Sequence, residues 1–276
     1  ALFAEFGVFL LTETNIYATT SINHSRNKSP ILANKFTKKP YLCIVKLNHC
    51  VMKFVDVKND VAFRKIFGNQ KKSIVLISFL NAVLDLEGSN RISKATIIDP
   101  YLLPRLKGEK ASILDVRATD QRGRQFIVEM QIADKKGFDK RVQLYTSRDY
   151  SMQIDRGEDY PKLKPTYFIG ILNFGIGFGK NYLPKHYSIE EETGHCVLSD
   201  IQHRFIQLTK FKKKRHELVS LIDKWTFFIK NAENLDLIPE DIEDEGLKIA
   251  YQEADKHSWK KEELIAYENA GIREQD

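Results

Sequence analysis

From position 59 onward, apolar residues recur at spacings that name the elements. "DVAFRKIF" sets Val61, Phe63, Ile66 and Phe67 against Arg64 and Lys65, and Gly68 follows, so the spacing predicts a short helix with a glycine stop. "SIVLISFLNAVLDLEG" repeats Ile74, Ile77, Leu80 and Leu84 at helical spacing and ends at Gly88. "KATIIDP" reads as a short strand stopped by Pro100. "SILDVRAT" and "RQFIVEMQ" are β-rich runs joined by "DQRG", which predicts a hairpin. A helix over 139–156 is expected from Val142, Tyr145, Tyr150 and Met152, with Gly157 behind it. "PTYFIGILNF" is an apolar run of the kind buried on both faces of a sheet. Residues 173–200 are Gly-rich and irregular, with room for a further strand. "HRFIQLTKFKKKRHELVSLIDKWTFFIKNA" reads as one long helix, and the acidic end as two amphipathic helices. The order predicts an α/β sandwich around a mixed sheet, with the hairpin at its centre.

The first fifty-one residues pattern differently. "ALFAEFGVFLLTETNIYATT" opens apolar but is too short to span a bilayer, and no basic flank precedes it as in a signal peptide. Residues 21–40 are polar and Pro-punctuated. The expected organisation is a poorly specified extension over 1–51, a core over 52–198 beginning at Met52, and a helical C-terminal region over 199–276. Cys43, Cys50 and Cys196 form neither a CxxC pair nor a disulfide framework, so reduced thiols and a cytoplasmic location are expected.

Charge adds an asymmetry to this outline. Residues 1–58 hold 8 Lys/Arg against 3 Asp/Glu, residues 59–230 hold 30 against 20, and residues 231–276 hold 5 against 14. A basic body with an acidic tail suits a polyanion partner, although many basic proteins bind none. The acidic helices offer a surface for self-association as a homodimer, or a cover over the basic surface.

Chemistry enters at the hairpin. Side chains alternate faces along a strand, so Glu129 and Gln131 point the same way and Met130 the other. Asp115 lies fourteen positions before Glu129, and with the turn near Gln121 and Arg122 the two fall within one rung of facing each other. Adjacent carboxylates repel and raise each other's pKa unless a cation bridges them. Oxygen ligands suit Mg²⁺ or Mn²⁺, and such an ion polarises a phosphate and lowers the pKa of a bound water. The alternative is an exposed pair neutralised by Arg117, Arg124 or Lys110, and spacing alone does not decide between them.

The segments "NDVAFRKIFG", "ISFLNAVL", "ILDVRATDQRGRQFIVEMQ", "FDKRVQLYTSRDYSMQIDRGEDYPKLKPTYFIGILNF" and "SWKKEELIAYENA" resemble, in order, the PD-(D/E)XK nuclease superfamily. The closer resemblance is to the Rpn family of recombination-promoting nucleases and transposases, from about Lys53 to the C-terminus. It implies a restriction-endonuclease-like α/β fold with a C-terminal helical extension, and an Mg²⁺-dependent DNA endonuclease whose substrate is double-stranded. Asp115 matches the metal-binding Asp, Glu129 the acid of the Glu-X-Lys/Gln motif, and the Met130 carbonyl completes the ligand set. Asp60 matches an acidic residue for a second metal or a water; a first-turn acid favoured by the helix dipole explains it equally.

Gln131 stands where lysine is usual. Gln is common in the Rpn-like branch, and an amide orients a water but brings no charge. Lys135, Lys136 and Arg141 follow closely enough to supply it. Gln143 is expected just behind the site. "KFKKKRH", with Lys212, Lys213, Lys214 and Arg215, is a candidate phosphate-contacting stripe, as is any solvated helix face. The rival functions are a non-catalytic DNA- or partner-binding protein on the same fold, and an RNase.

Overall fold

The computed structural model describes residues 53–102, 112–177 and 179–273. The expected extension over 1–51, Met52, both early cysteines and Lys110 lie outside the described residues. Helix α1 (Asp60–Phe67) opens where Asn59 accepts the Val61 and Ala62 amides through its side chain, and closes at Gly68. Helix α2 (Ile74–Leu84) is apolar on nearly every side because neighbours cover it nearly all round; it stops at Asp85, which turns left-handed (φ 58°), short of Gly88.

Strands β1 (Ala95–Ile98), β2 (Tyr101–Leu102), β3 (Ser112–Ile113), β4 (Val116–Asp120) and β5 (Gln125–Gln131) follow. The expected hairpin is β4–β5, antiparallel, with Val116 opposite Val128. Its turn is held by Asp120, whose carboxylate accepts the Arg122 and Arg124 amides while Gly123 takes a positive φ of 79°. Then come α3 (Phe138–Ser151), β6 (Thr166–Leu172), β7 (Lys185–Tyr187) and β8 (Ile201–Gln207). The main sheet has the order β1-β4-β5-β6-β8-β7. The β5–β6 and β6–β8 pairs are parallel and the others antiparallel, so the sheet is mixed as expected, and β2–β3 is a separate ribbon.

Strand β8 corrects the long helix expected from His203. Ile201–Gln207 pairs along its length with β6, and "TKFKKKRHELVS" after it is a loop with a single 3₁₀ turn. The basic run has helix-forming residues but no apolar stripe to dock, whereas Phe205 and Ile206 fill the sheet's two faces. Helix begins only at α4 (Leu221–Asn231), where Ser220 and Asp223 form a reciprocal cap. The two acidic helices are α5 (Glu245–Ala254) and α6 (Lys261–Arg273).

One face of the sheet lies under α1, α2, α4 and α5, with Phe63, Phe67, Phe79, Trp225, Phe228 and Tyr251 fully buried between them. Each such side chain contributes roughly 1.5–3 kcal/mol, so this is the principal core. Among the described residues α3 is the one helix on the other face, over Leu114, Ile127, Phe168, Leu172 and Phe205, with Leu102 of the ribbon in the same cluster. The start of the described chain is tied to its end: Val55 N–H donates to Ala254 O (2.9 Å), Lys256 N–H to Lys53 O (2.8 Å) and Asp56 N–H to Tyr267 Oη (2.9 Å).

Candidate active site

The run "SILDV" does not continue as one strand. Ile113 pairs with Tyr101 in the ribbon and Val116 with Val128 in the sheet, leaving Leu114 and Asp115 in the break between. The break frees Asp115 from the ladder. Its N–H donates to Glu129 Oε1 (3.1 Å), and its Oδ2 accepts the Met130 N–H (2.8 Å). The Glu129 carboxylate is therefore held by the backbone of the break and the Asp115 carboxylate by β5, and the two acids adjoin as the sequence leads one to expect.

Both carboxyl groups are held above the usual carboxylate range. For Glu129, only 5% exposed, burial is the larger cause and the Asp115 charge the next. For Asp115 burial again leads, opposed by the bonds from Met130 and Arg64. Of the expected neutralisers, Arg117 and Arg124 are committed elsewhere: Arg117 Nε binds Asp149 (2.6 Å), fastening α3 to β4, and Arg124 Nε binds Asp120 (2.6 Å). The cation that does reach the pair is Arg64 on α1, whose Nε and Nη2 both donate to Asp115 Oδ1 (3.2 and 2.9 Å). Arg64 was not singled out from the sequence. Its place one turn after Asp60, on the same helix face, was the available signal.

Gln131 lies beside the pair. Its Nε2 donates to Met130 O (2.9 Å) and Glu129 Oε2 (3.3 Å), and its Oε1 accepts from Arg141 Nη2 on α3. Arg141 thus holds a guanidinium against the Gln131 amide. Asp60 Oδ1 is buried without a hydrogen-bond partner, and its other oxygen lies 3.9 Å from Arg64. These groups line a cleft of about 670 Å³ with Lys58, Lys135 and Tyr145.

The donor set fits a hard divalent ion. It is all oxygen: the Asp115 and Glu129 carboxylates, the Met130 carbonyl and the orphaned Asp60 Oδ1. Among the described residues no group of three or more His, Cys, Asp and Glu side chains forms a ready metal cluster, so two acids and a carbonyl would leave positions for water.

The remaining candidates lie elsewhere. Gln143 is exposed and lines a second cleft of about 380 Å³ on the other side of α3, with Phe138, Val142, His186, His203 and Phe205; this corrects its expected place behind the carboxylates. Gly170, the ladder partner of Glu129, leaves room for the floor of that second cleft: a Cβ there would meet Phe205 Cδ1 at 2.8 Å. Lys136 is exposed outside both clefts. Lys212, Lys213, Lys214 and Arg215 are loop residues at a separate basic hollow beside α4, not a helical stripe. Two of them are paired already, Lys213 with Asp223 (2.8 Å) and Arg215 with Asp241 (3.1 Å).

A six-stranded mixed sheet between helices, with an acidic pair at the end of its central hairpin, is the architecture of a restriction-endonuclease-like protein. A family model described as PD-(D/E)XK nuclease family transposase matches residues 57–276, and the chain belongs to that family. The class is thus that of a nuclease acting on nucleic acid. No curated protein and no solved structure matches it. No helix of the described residues is long and apolar enough to cross a membrane.

Proposed function

We propose that this protein is a divalent-cation-dependent endonuclease that hydrolyses phosphodiester bonds of double-stranded DNA in recombination or transposition. The observation that carries this reading is the buried acid pair, Asp115 and Glu129, wired together beside an orphaned Asp60 oxygen in an open cleft. Buried Glu129 and partly buried Asp115 side by side, with a guanidinium bound to Asp115 alone, are costly, and sites that keep such cost are commonly those that use it. Asp115, Glu129 and the Met130 carbonyl would hold Mg²⁺ or Mn²⁺, with Asp60 holding a second ion or a water. A bound ion of this kind supplies Lewis acidity toward the scissile phosphate and lowers the pKa of a coordinated water.

The chain's own groups then have defined work. Gln131 orients the attacking water through its amide, and Arg141 fixes that amide and brings the positive charge a lysine would carry. Lys135 stands exposed in the cleft wall, where it would meet the phosphodiester backbone, whereas Lys58 beside it is held by Asp56 (2.6 Å) and Glu233 (2.9 Å). Lys136, Lys212 and Lys214 are exposed and would extend that contact, with Lys213 and Arg215 joining it only by leaving their acid partners. The reading includes a cytoplasmic location, in keeping with the free, exposed Cys196.

The test is nicking of supercoiled plasmid with Mg²⁺ by wild type, Asp115→Ala and Glu129→Ala. Wild type nicks, and each variant loses at least ~10³-fold in rate, about 4 kcal/mol of transition-state stabilisation, while circular dichroism stays unchanged. Equal nicking by all three proteins refutes the assignment. Cleavage of RNA with DNA left intact overturns the substrate.

A further inference from the structure

Two donor groups already hold oxygens of the acid site that an ion would need. Gln131 Nε2 bridges Glu129 Oε2 and the Met130 carbonyl, and Arg64 grips Asp115 Oδ1 with two nitrogens. They differ in freedom. Gln131 is anchored from behind by Arg141, whereas the Arg64 side chain is 47% exposed and reaches the cleft from a surface position of α1. A half-exposed arginine on a helix face can change rotamer at small cost. Arg64 is also the only residue of α1 whose charge opposes that of Asp60 within the cleft lining.

We infer that Arg64 is a built-in counter-cation that competes with the divalent ion for Asp115, and that on release it turns to a phosphate of the bound nucleic acid. The inference rests on the proposed metal-dependent reading of the same cleft. Its physical content is that one carboxylate oxygen cannot serve a guanidinium and a divalent ion at full strength. The ion displaces Arg64, and the freed guanidinium, always charged and shaped for phosphate, lies at the mouth of the cleft where backbone would enter. Ion and nucleic acid binding are then positively coupled, and the coupling is reciprocal. In the ion-free protein Arg64 keeps the buried acids partly neutralised, and the cleft holds DNA weakly.

The test uses the full chain and Mn²⁺ alone, titrated by calorimetry into wild type, Arg64→Met, Arg64→Lys and Glu129→Gln. Arg64→Met, which keeps the aliphatic stem, binds Mn²⁺ about tenfold more tightly than wild type, the scale expected for removing one competing charge near a partly exposed pair. Arg64→Lys falls between, since a single ammonium cannot match the two-nitrogen grip. A parallel arm measures affinity for a DNA duplex in Ca²⁺ and in EDTA. Arg64→Met weakens binding about threefold to tenfold in Ca²⁺, the scale of a lost phosphate contact, and leaves it unchanged in EDTA. Equal or weaker Mn²⁺ affinity in Arg64→Met overturns the counter-cation role, and an unchanged affinity in Ca²⁺ overturns the phosphate contact. Wild type that takes up no Mn²⁺, or takes it up as well in Glu129→Gln, overturns the metal-dependent reading and this inference with it.

Discussion

The two clefts flanking α3 share one floor, the open face of the sheet, yet their linings are opposite in kind. On the β4–β5 side the lining is Asp60, Arg64, Asp115, Glu129, Gln131 and Arg141. On the β7–β8 side it is chiefly Phe138, Val142, Ile176, Phe205 and two histidines. Phe205 stacks on His203 and meets Phe138, Phe168 and His186 edge-on or tilted, and burial holds the His203 imidazole below its usual range, so it is neutral near pH 7. That side is apolar packing at its base and fastens the helix. The other side keeps ionisable groups where burial opposes their charge, and offsets the cost with a guanidinium and backbone amides. The difference teaches that substitutions two strands apart on one sheet face should report on different properties, stability on one side and chemistry on the other.

The sharpest break of this contrast is Phe205→Ala. It should lower unfolding stability by roughly 3–5 kcal/mol, as for other buried aromatics, with nicking per folded molecule retained; urea titration and a plasmid assay at low temperature check both. Arg141→Met comes next: turnover falls about tenfold to a hundredfold, ~1.4–2.7 kcal/mol, while the melting temperature moves little. A loss of folding instead of rate would erase the distinction between the two sides. The smallest effect is Glu129→Gln without metal. The folded-state pKa of Glu129 lies above its ordinary 4.5, at about 8, so folding favours the protonated acid. Wild-type stability is therefore full below pH 4.5 and falls as pH rises through that window. The neutral variant escapes this loss and should melt higher than wild type at pH 8, with the gap closing below pH 4.5. Differential scanning calorimetry at the two pH values decides it.

The hairpin, α1, both acidic helices and the pairing of Asp115 with Glu129 were legible because period and turn residues specify them locally. The break at Asp115 was not. Nothing local distinguishes a kink from a continuous strand in "ILDV", and it arises because Ile113 pairs with a different partner from Val116. Strand β8 was hidden for a related reason: "HRFIQL" is short, and its neighbours "KFKKKRHE" carry helix-favouring residues that no face of the protein needs. Arg64 escaped notice because a long-range ion pair leaves no periodic trace. Gln143 was expected behind the site from the resemblance, which matches a residue type on a helix without fixing the side of α3 on which this one falls.

The knot between the ends of the described chain has a consequence for how the protein comes into being. Helix α1 carries Asp60 and Arg64 and is backed by α5 and α6, through Lys65 on Glu263 (2.5 Å) and the Asn59 amide on the Tyr267 carbonyl (3.2 Å). One wall of the cleft is thus braced by segments that a ribosome delivers well after α1. A nascent chain can close its hairpin early and still lack that wall, so competence to handle nucleic acid arrives only once α5 and α6 have emerged and docked.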